Sequence, residues 1–150
     1  MIAQILAYDH PQRTQSLVSI MSSTWASHLP PPGRAQREGI ADMNESSEEE
    51  AARLQELGFF TSALPNQVTA ILSAGDRTAR VSEIQAPTLV LHGAQDKLLS
   101  IEHGQHTAQT IPNARFKVYD NMGHILPDPV VPFLVADMLA HLQAHPVGLR

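Results

Sequence analysis

The sequence predicts an α/β fold, parallel strands flanked by helices, on three observations. Short apolar runs rich in β-branched residues recur at 17–21, 88–92 and 116–119. Segments with apolar residues at helical spacing lie before, between and after them. Strands separated by helices imply a parallel sheet with helices packed on its faces.

Taken in order, residues 1–9 place Ile2, Ile5, Leu6 and Tyr8 on neighbouring faces of a short helix of buried character. His10 and Pro11 end it, because a residue before proline is turned away from the helical region. The helix opens at Met1 with no Ser, Thr, Asp or Asn to cap it, so the start reads as cut. Leu17-Val18-Ser19-Ile20-Met21 has the make-up of an interior strand, and Ser22-Ser23-Thr24 closes it. From residue 25 to 65 the character changes: prolines at 30–32, Gly33, an acidic tract with Glu45 and Glu48 to Glu50, then Leu54 and Leu57 at helical spacing. This stretch reads as a partly helical insert with flexible edges, and the acidic run as a solvated helix start.

A helix over 66–74 turns Val68, Ile71 and Leu72 inward and stops at Gly75 in a left-handed conformation. Pro87 introduces the strand Thr88-Leu89-Val90-Leu91-His92, and residues 93–100 form a loop holding Asp96. A helix over 101–110, a strand over 116–119 and a loop over 120–129 holding His124 follow. The last helix, 130–142, aligns Val131, Leu134, Val135, Met138 and Leu142 on one stripe. The core is therefore 1–24 with 66–150, and 25–65 is the insert.

Composition narrows the function. The chain has 150 residues, 43% hydrophobic and 17% charged, which suits one globular domain rather than a disordered segment. Its formal net charge of −5 comes with no cluster of Lys and Arg, so a nucleic-acid partner is not expected. With no cysteine, disulfides, zinc-thiolate sites and thiol nucleophiles are excluded. No apolar run is long enough to span a bilayer and the start lacks the basic flank of a signal peptide, so the expectation is a cytoplasmic protein without a membrane partner.

The chemistry points to Asp96 and His124. In parallel α/β sheets, reactive groups gather beyond the carboxyl ends of the strands, and each of these residues follows a strand there. Imidazole accepts and returns a proton near neutral pH, and a carboxylate on one ring nitrogen fixes the tautomer and presents the other. Gly93 and Gly123 permit tight turns around the pair. More ordinary roles stand beside these: Asp96 as an Asx-turn residue or helix cap, His124 as a turn histidine. His92 reads as a structural strand end. His103 with His106, and His141 with His145, share helix faces but lack the acidic partners of a metal site, so surface positions are expected and no metal or other cofactor. Ser22, Ser23 and Ser100 read as turn formers.

Pro87-Thr88-Leu89-Val90-Leu91-His92-Gly93 with Asp96, followed by Gly123-His124, resembles the acid and histidine segments of α/β-hydrolases. Residues 1–7 look like the helix after that family's nucleophile elbow, 17–24 like the next strand, and 74–78 like the lead into the acid-bearing strand. The chain is most similar to aclacinomycin methylesterase-like hydrolases, whose histidine loop is matched by Met122-Gly123-His124-Ile125-Leu126-Pro127. The resemblance covers 1–24 and 66–145 and implies the C-terminal part of an α/β-hydrolase fold. It implies hydrolysis of a small carboxylic ester in a full-length parent, with Asp96 orienting His124. The insert then stands where the family carries its cap, and Trp25 with the prolines after it would either line a pocket for an apolar acyl or alcohol group or form a flexible surface loop.

The departure is as informative. None of the eight glycines is followed two places on by serine and four places on by glycine, so the Gly-x-Ser-x-Gly elbow is missing from the sequence. The resemblance places that elbow immediately before Met1. Without it the chain alone is expected to be inactive, and the 17–21 strand to be left as an open apolar edge. That edge suggests pairing with an N-terminal half or self-association. The alternative is a non-catalytic binding or assembly module that pairs with another chain through the same edge. A reaction of related enzymes, at a peroxidase, dehalogenase or carbon-carbon hydrolase centre, fits the same two residues.

Overall fold

The computed structural model describes residues 1–31, 52, 56 and 64–146. Helix α1 (Ile2–Asp9) leads through a short turn, Pro11–Arg13, into strand β1 (Leu17–Ile20). Helices α2 (Leu64–Ser73) and α3 (Thr78–Val81) precede strand β2 (Thr88–Gly93). Helix α4 (Ile101–Thr110), strand β3 (Arg115–Tyr119) and helix α5 (Val131–Ala144) complete the order. Most of the insert lies outside the described residues, although positions 52 and 56 are helical.

The three strands form one parallel sheet in the order β1-β2-β3, with Val18 beside Leu89 and Leu91 beside Lys117. All six residues of β2 are buried, as a central strand covered on both faces requires. Its alternation divides the core. Leu89 and Leu91 pack with Tyr119, Met122, Val130 and Leu134 on the α5 face. On the other face, Ala7, Leu17, Val81, Ile84, Ala86 and Ile111 gather under α1 and α3. This is a three-layer α/β arrangement, as expected from the sequence.

Several details differ from the sequence reading. Strand β1 stands at an edge of the sheet among the described residues, as expected, but it ends at Ile20 because Met21 turns away at φ 43°. Helix α1 buries Gln4 and Ala7 and leaves Ile2 71% and Leu6 51% exposed. Small Ala7 brings the helix close to the sheet, and the Gln4 amide donates to Ser19 Oγ, so the polar residue takes the inward place. Helix α5 likewise turns Leu134, Met138 and His141 inward at helical spacing, whereas Val135 and Leu142 face out. Its rotation is fixed by His141, whose Nε2–H donates to the Pro87 carbonyl at 3.2 Å.

Gly75 does adopt a left-handed φ of 57° after α2. Of the side chains expected inward on α2, Ile71 is half-buried, while Val68 and Leu72 are described in their backbone alone. The single turn α3, which no periodicity announced, starts where Asp76 Oδ1 accepts the Thr78 amide. Arg77 ties it to the end of β1, its side chain donating to the Ser23 carbonyl and its amide to Thr24.

His103 and His141 are each 1% exposed, so the expectation that they lie on the surface is corrected. His103 sits between Ser23 and Pro30. Its Nε2–H donates to the Pro30 carbonyl at 3.0 Å, and Nδ1 accepts the Ser23 hydroxyl at 2.7 Å. Thr24 Oγ1 is hydrogen-bonded in the same way to His106 Nδ1 at 3.0 Å. The serine and threonine after β1 thus anchor the chain to α4 as well as forming a turn. Among the described residues no helix is long and apolar enough to cross a membrane, and no group of three or more potential metal ligands gathers.

Burial pushes the pKa values of His103 and His141 below the ordinary imidazole value. The unfolded chain therefore binds protons that the folded chain refuses as pH falls through the ordinary range. Stability is full above that range and declines below it. The urea midpoint is expected to drop between about pH 7.5 and 5.5, with His103→Gln and His141→Gln each flattening the profile. A midpoint as steep in both variants as in the unaltered chain contradicts this assignment.

Candidate active site

The site is built where the ends of β2 and β3 meet. The loop after β2 folds over the end of β3 and its loop through two main-chain hydrogen bonds, Ala94 N–H to the Tyr119 carbonyl and Gln95 N–H to the Met122 carbonyl, while Met122 N–H closes the β3 loop on Tyr119. Gly93 is the point of closest approach. A Cβ there would stand 2.2 Å from the Met122 carbonyl oxygen and 2.6 Å from that of Gly123, both of them backbone. Glycine is needed because another backbone occupies the space a side chain would fill, a different reason from the tight turn expected. At Gly123 a Cβ meets nothing closer than the Gln95 carbonyl at 3.5 Å, so that expectation is not matched by any steric need.

Asp96 is fixed from two sides. Its Oδ1 accepts the amides of Leu98 and Leu99, both at 2.9 Å, which is the Asx-turn geometry. Its Oδ2 accepts His124 Nδ1–H at 2.8 Å. The local role and the contact across the loops are therefore filled by the two oxygens of one carboxylate. Asp96 does not cap α4, which has Ser100 at its N-cap and no side-chain cap bond.

Exposure divides the pair. The Asp96 side chain is sealed from solvent, while that of His124 is 37% exposed. Because carboxylate oxygens only accept, Nδ1 of His124 carries the proton, and Nε2 is left as the basic nitrogen. Burial pushes the Asp96 carboxyl up, but the hydrogen bonds from His124, Leu99 and Leu98 outweigh it and hold the group below its ordinary value. The carboxylate thus stays charged where imidazole exchanges its proton.

The chain matches the family described as serine aminopeptidase, S33 (Hydrolase_4), over residues 2–128. It belongs to that family. The match places it in the α/β-hydrolase superfamily, whose solved members share the fold. Among these, a meta-cleavage product hydrolase from Pseudomonas fluorescens IP01 aligns with 97% of this chain and 61% of its own, at TM-score 0.67 and 13% identity. The enol-lactonase from Burkholderia xenovorans LB400 aligns with 94% and 61%, at TM-score 0.60 and 16% identity. At the sequence level, 68 residues are 37% identical to the rhodomycin D methylesterase of Streptomyces peucetius, covering 45% of this chain and 23% of that protein. A hydrolase of 2-hydroxy-6-oxononadienedioate and 2-hydroxy-6-oxononatrienedioate from Pseudomonas putida is 38% identical over 69 residues, 44% of this chain and 24% of that protein. The chain spans about three fifths of these solved relatives.

Sequence reasoning named Asp96 and His124, and the structure brings them together. It read His92 as a structural strand end and did not foresee its contact with the Asp96 loop, where Nε2 lies 2.9 Å from the Leu99 carbonyl and 3.5 Å from Asp96 Oδ2. The available signal was a polar residue inside an apolar central strand, which has to find a partner or cost stability.

Two substitutions test this geometry. Gly93→Ala forces the loops apart and is expected to cost about 3 kcal/mol in a denaturant titration. Gly123→Ala, with its nearest neighbour at ordinary contact distance, stays well below that. Asp96→Ala strips the Leu98 and Leu99 amides of their acceptor and costs about 2 kcal/mol. His124→Ala leaves both amides paired with Oδ1 but removes the third donor to a sealed carboxylate, so it is expected to cost about 1 kcal/mol, less than the loss at 96. Equal losses at 96 and 124 would show that the exposed ring is a structural support.

Proposed function

We propose that Asp96 and His124 are the acid and base of a Ser-His-Asp hydrolase acting on a small carboxylic ester. The observation that carries this reading is the 2.8 Å bond from His124 Nδ1 to a sealed Asp96, with His124 itself reaching the surface at the carboxyl rim of a parallel sheet. Membership of the α/β-hydrolase superfamily supports the reaction class, and similarity to a rhodomycin D methylesterase supports an ester. The serine comes from a segment outside these 150 residues, since no nucleophile elbow is encoded within them.

In that mechanism His124 Nε2 takes the proton of the serine hydroxyl as its oxygen attacks the ester carbonyl. Asp96 stabilises the imidazolium that forms. The proton passes to the departing alcohol, leaving an acyl-enzyme. Water then attacks the acyl carbonyl, His124 accepts its proton and returns it to the serine, and the carboxylic acid leaves. Ser23 is not the nucleophile in this scheme, because it is 2% exposed and its hydroxyl already donates to His103.

A second reading rests on the edge position of β1 beside the exposed Ile2 and Leu6. Unpaired strand edges flanked by apolar side chains invite pairing with another chain. The module would then act by assembly, with no use for His124.

Residues 1–150 alone are expected to leave short-chain nitrophenyl esters untouched. Fused or co-expressed with an α/β-hydrolase N-terminal portion that supplies the elbow, they are expected to gain activity that His124→Ala lowers by about a thousandfold or more. Activity of the joined protein that survives His124→Ala sinks the catalytic reading. A stable oligomer of the chain, indifferent to that substitution and silent with every serine-bearing portion, supports assembly.

A further inference from the structure

We propose that His92 is a positioning residue for the acid, holding the Asp96 loop in the shape that aims its carboxylate at His124. The inference rests on the reading of Asp96 as the group that orients His124, and goes beyond it by assigning the support behind that carboxylate.

The alternation of β2 turns His92 away from the Leu89 and Leu91 face and toward α4. Its side chain is completely buried. Fit there is close: a Cβ on Gly104 of α4 would stand 2.6 Å from His92 Nδ1 and 2.9 Å from Cγ. Glycine at 104 is the vacancy the imidazole fills. A polar ring buried in a central strand is costly unless it is paired, so its bonds deserve the explanation.

Nε2 is the end that is used. The Leu99 carbonyl only accepts, so Nε2 carries the proton and donates across 2.9 Å. Nδ1 has no hydrogen-bond partner. Leu99 is thereby held on both sides of its α-carbon. Its N–H donates to Asp96 Oδ1 at 2.9 Å, and its C=O accepts from His92. The same Nε2 lies 3.5 Å from Asp96 Oδ2, the oxygen that receives His124.

Leu99 therefore works as a brace between a side chain of β2 and one of the loop that follows it. Without the His92 bond, its carbonyl is an unpaired acceptor and the residue is free to rotate. The Leu99 amide then leaves Asp96 Oδ1, and the carboxylate loses one of the two amides that fix its plane. His92 never meets a reacting atom. Its effect is transmitted through Leu99 to the direction of Oδ2.

The tautomer of His124 reports this directly, without any need for turnover. In the full 150-residue chain labelled with 15N-histidine, at about pH 8 where imidazoles are neutral, His124 is expected in the Nδ1–H form. His92 is expected in the Nε2–H form. In His92→Leu, His124 should revert toward the Nε2–H form that free imidazole side chains prefer. In His92→Gln, whose amide nitrogen can still donate to Leu99, the Nδ1–H form should be retained. Gly104→Ala, which pushes on the ring, should shift His124 in the same direction as His92→Leu.

An unchanged His124 tautomer in a folded His92→Leu chain overturns the proposal. If that variant does not fold, the unaltered chain and Gly104→Ala decide: His92 protonated at Nδ1, or His124 unmoved by the alanine, overturns it equally. Failure of the underlying triad reading looks different. In that case His124 is already in the Nε2–H form in the unaltered chain, whereas His92 still shows its bond to Leu99.

Discussion

The carboxylate and the imidazole meet because two turns of backbone come closer than any side chain would allow. At Gly93 the strand bearing the acid runs into the carbonyls of Met122 and Gly123, and the absent Cβ is the space that lets them touch. Parallel pairing sets the coarse placement, since both β2 and β3 deliver their loops to the same end of the sheet. The main-chain bonds from Ala94 and Gln95 then fix the remaining freedom. Distance and direction between Asp96 and His124 follow from that closure.

Charge and burial are arranged around the same contact. Removing a carboxylate from water is unfavourable unless donors replace the solvent, and three donors do so here, two amides and an imidazole. The pair remains asymmetric: the acid is locked inside the loop and the base projects outward. Such an arrangement suits a group that orients beside one that exchanges protons.

Much of this was legible in the sequence, for physical reasons. Apolar, β-branched runs have few places to go except a sheet, and the helical stretches between them leave parallel pairing as the only short connection. The helix over 101–110 and the strand over 88–92 were recovered nearly to the residue, and the two loops after the strands announced Asp96 and His124. What escaped were decisions made by packing. Nothing in local periodicity tells Gln4 to point inward while Leu6 points out, or His141 to take the place expected of Leu142. Each depends on a hydrogen-bond acceptor supplied from a distant part of the chain, Ser19 of β1 in one case and Pro87 just before β2 in the other. The turn α3 escaped for a similar reason, because its anchor is the chain just after β1.

Acid and base sit on one continuous stretch, the strand-helix-strand unit β2 through β3 and the loop after it, with His92, Gly93 and Gly104 inside it. Their mutual geometry is thus contained in a single stretch of polypeptide and owes little to what lies across the sheet. Under the proposed mechanism, a segment of this kind is interchangeable: set beside different serine-bearing partners, it can serve different pockets without its own angles being rebuilt. Under that mechanism, the choice of substrate would rest on whatever surrounds this stretch, while the geometry that moves protons stays within it.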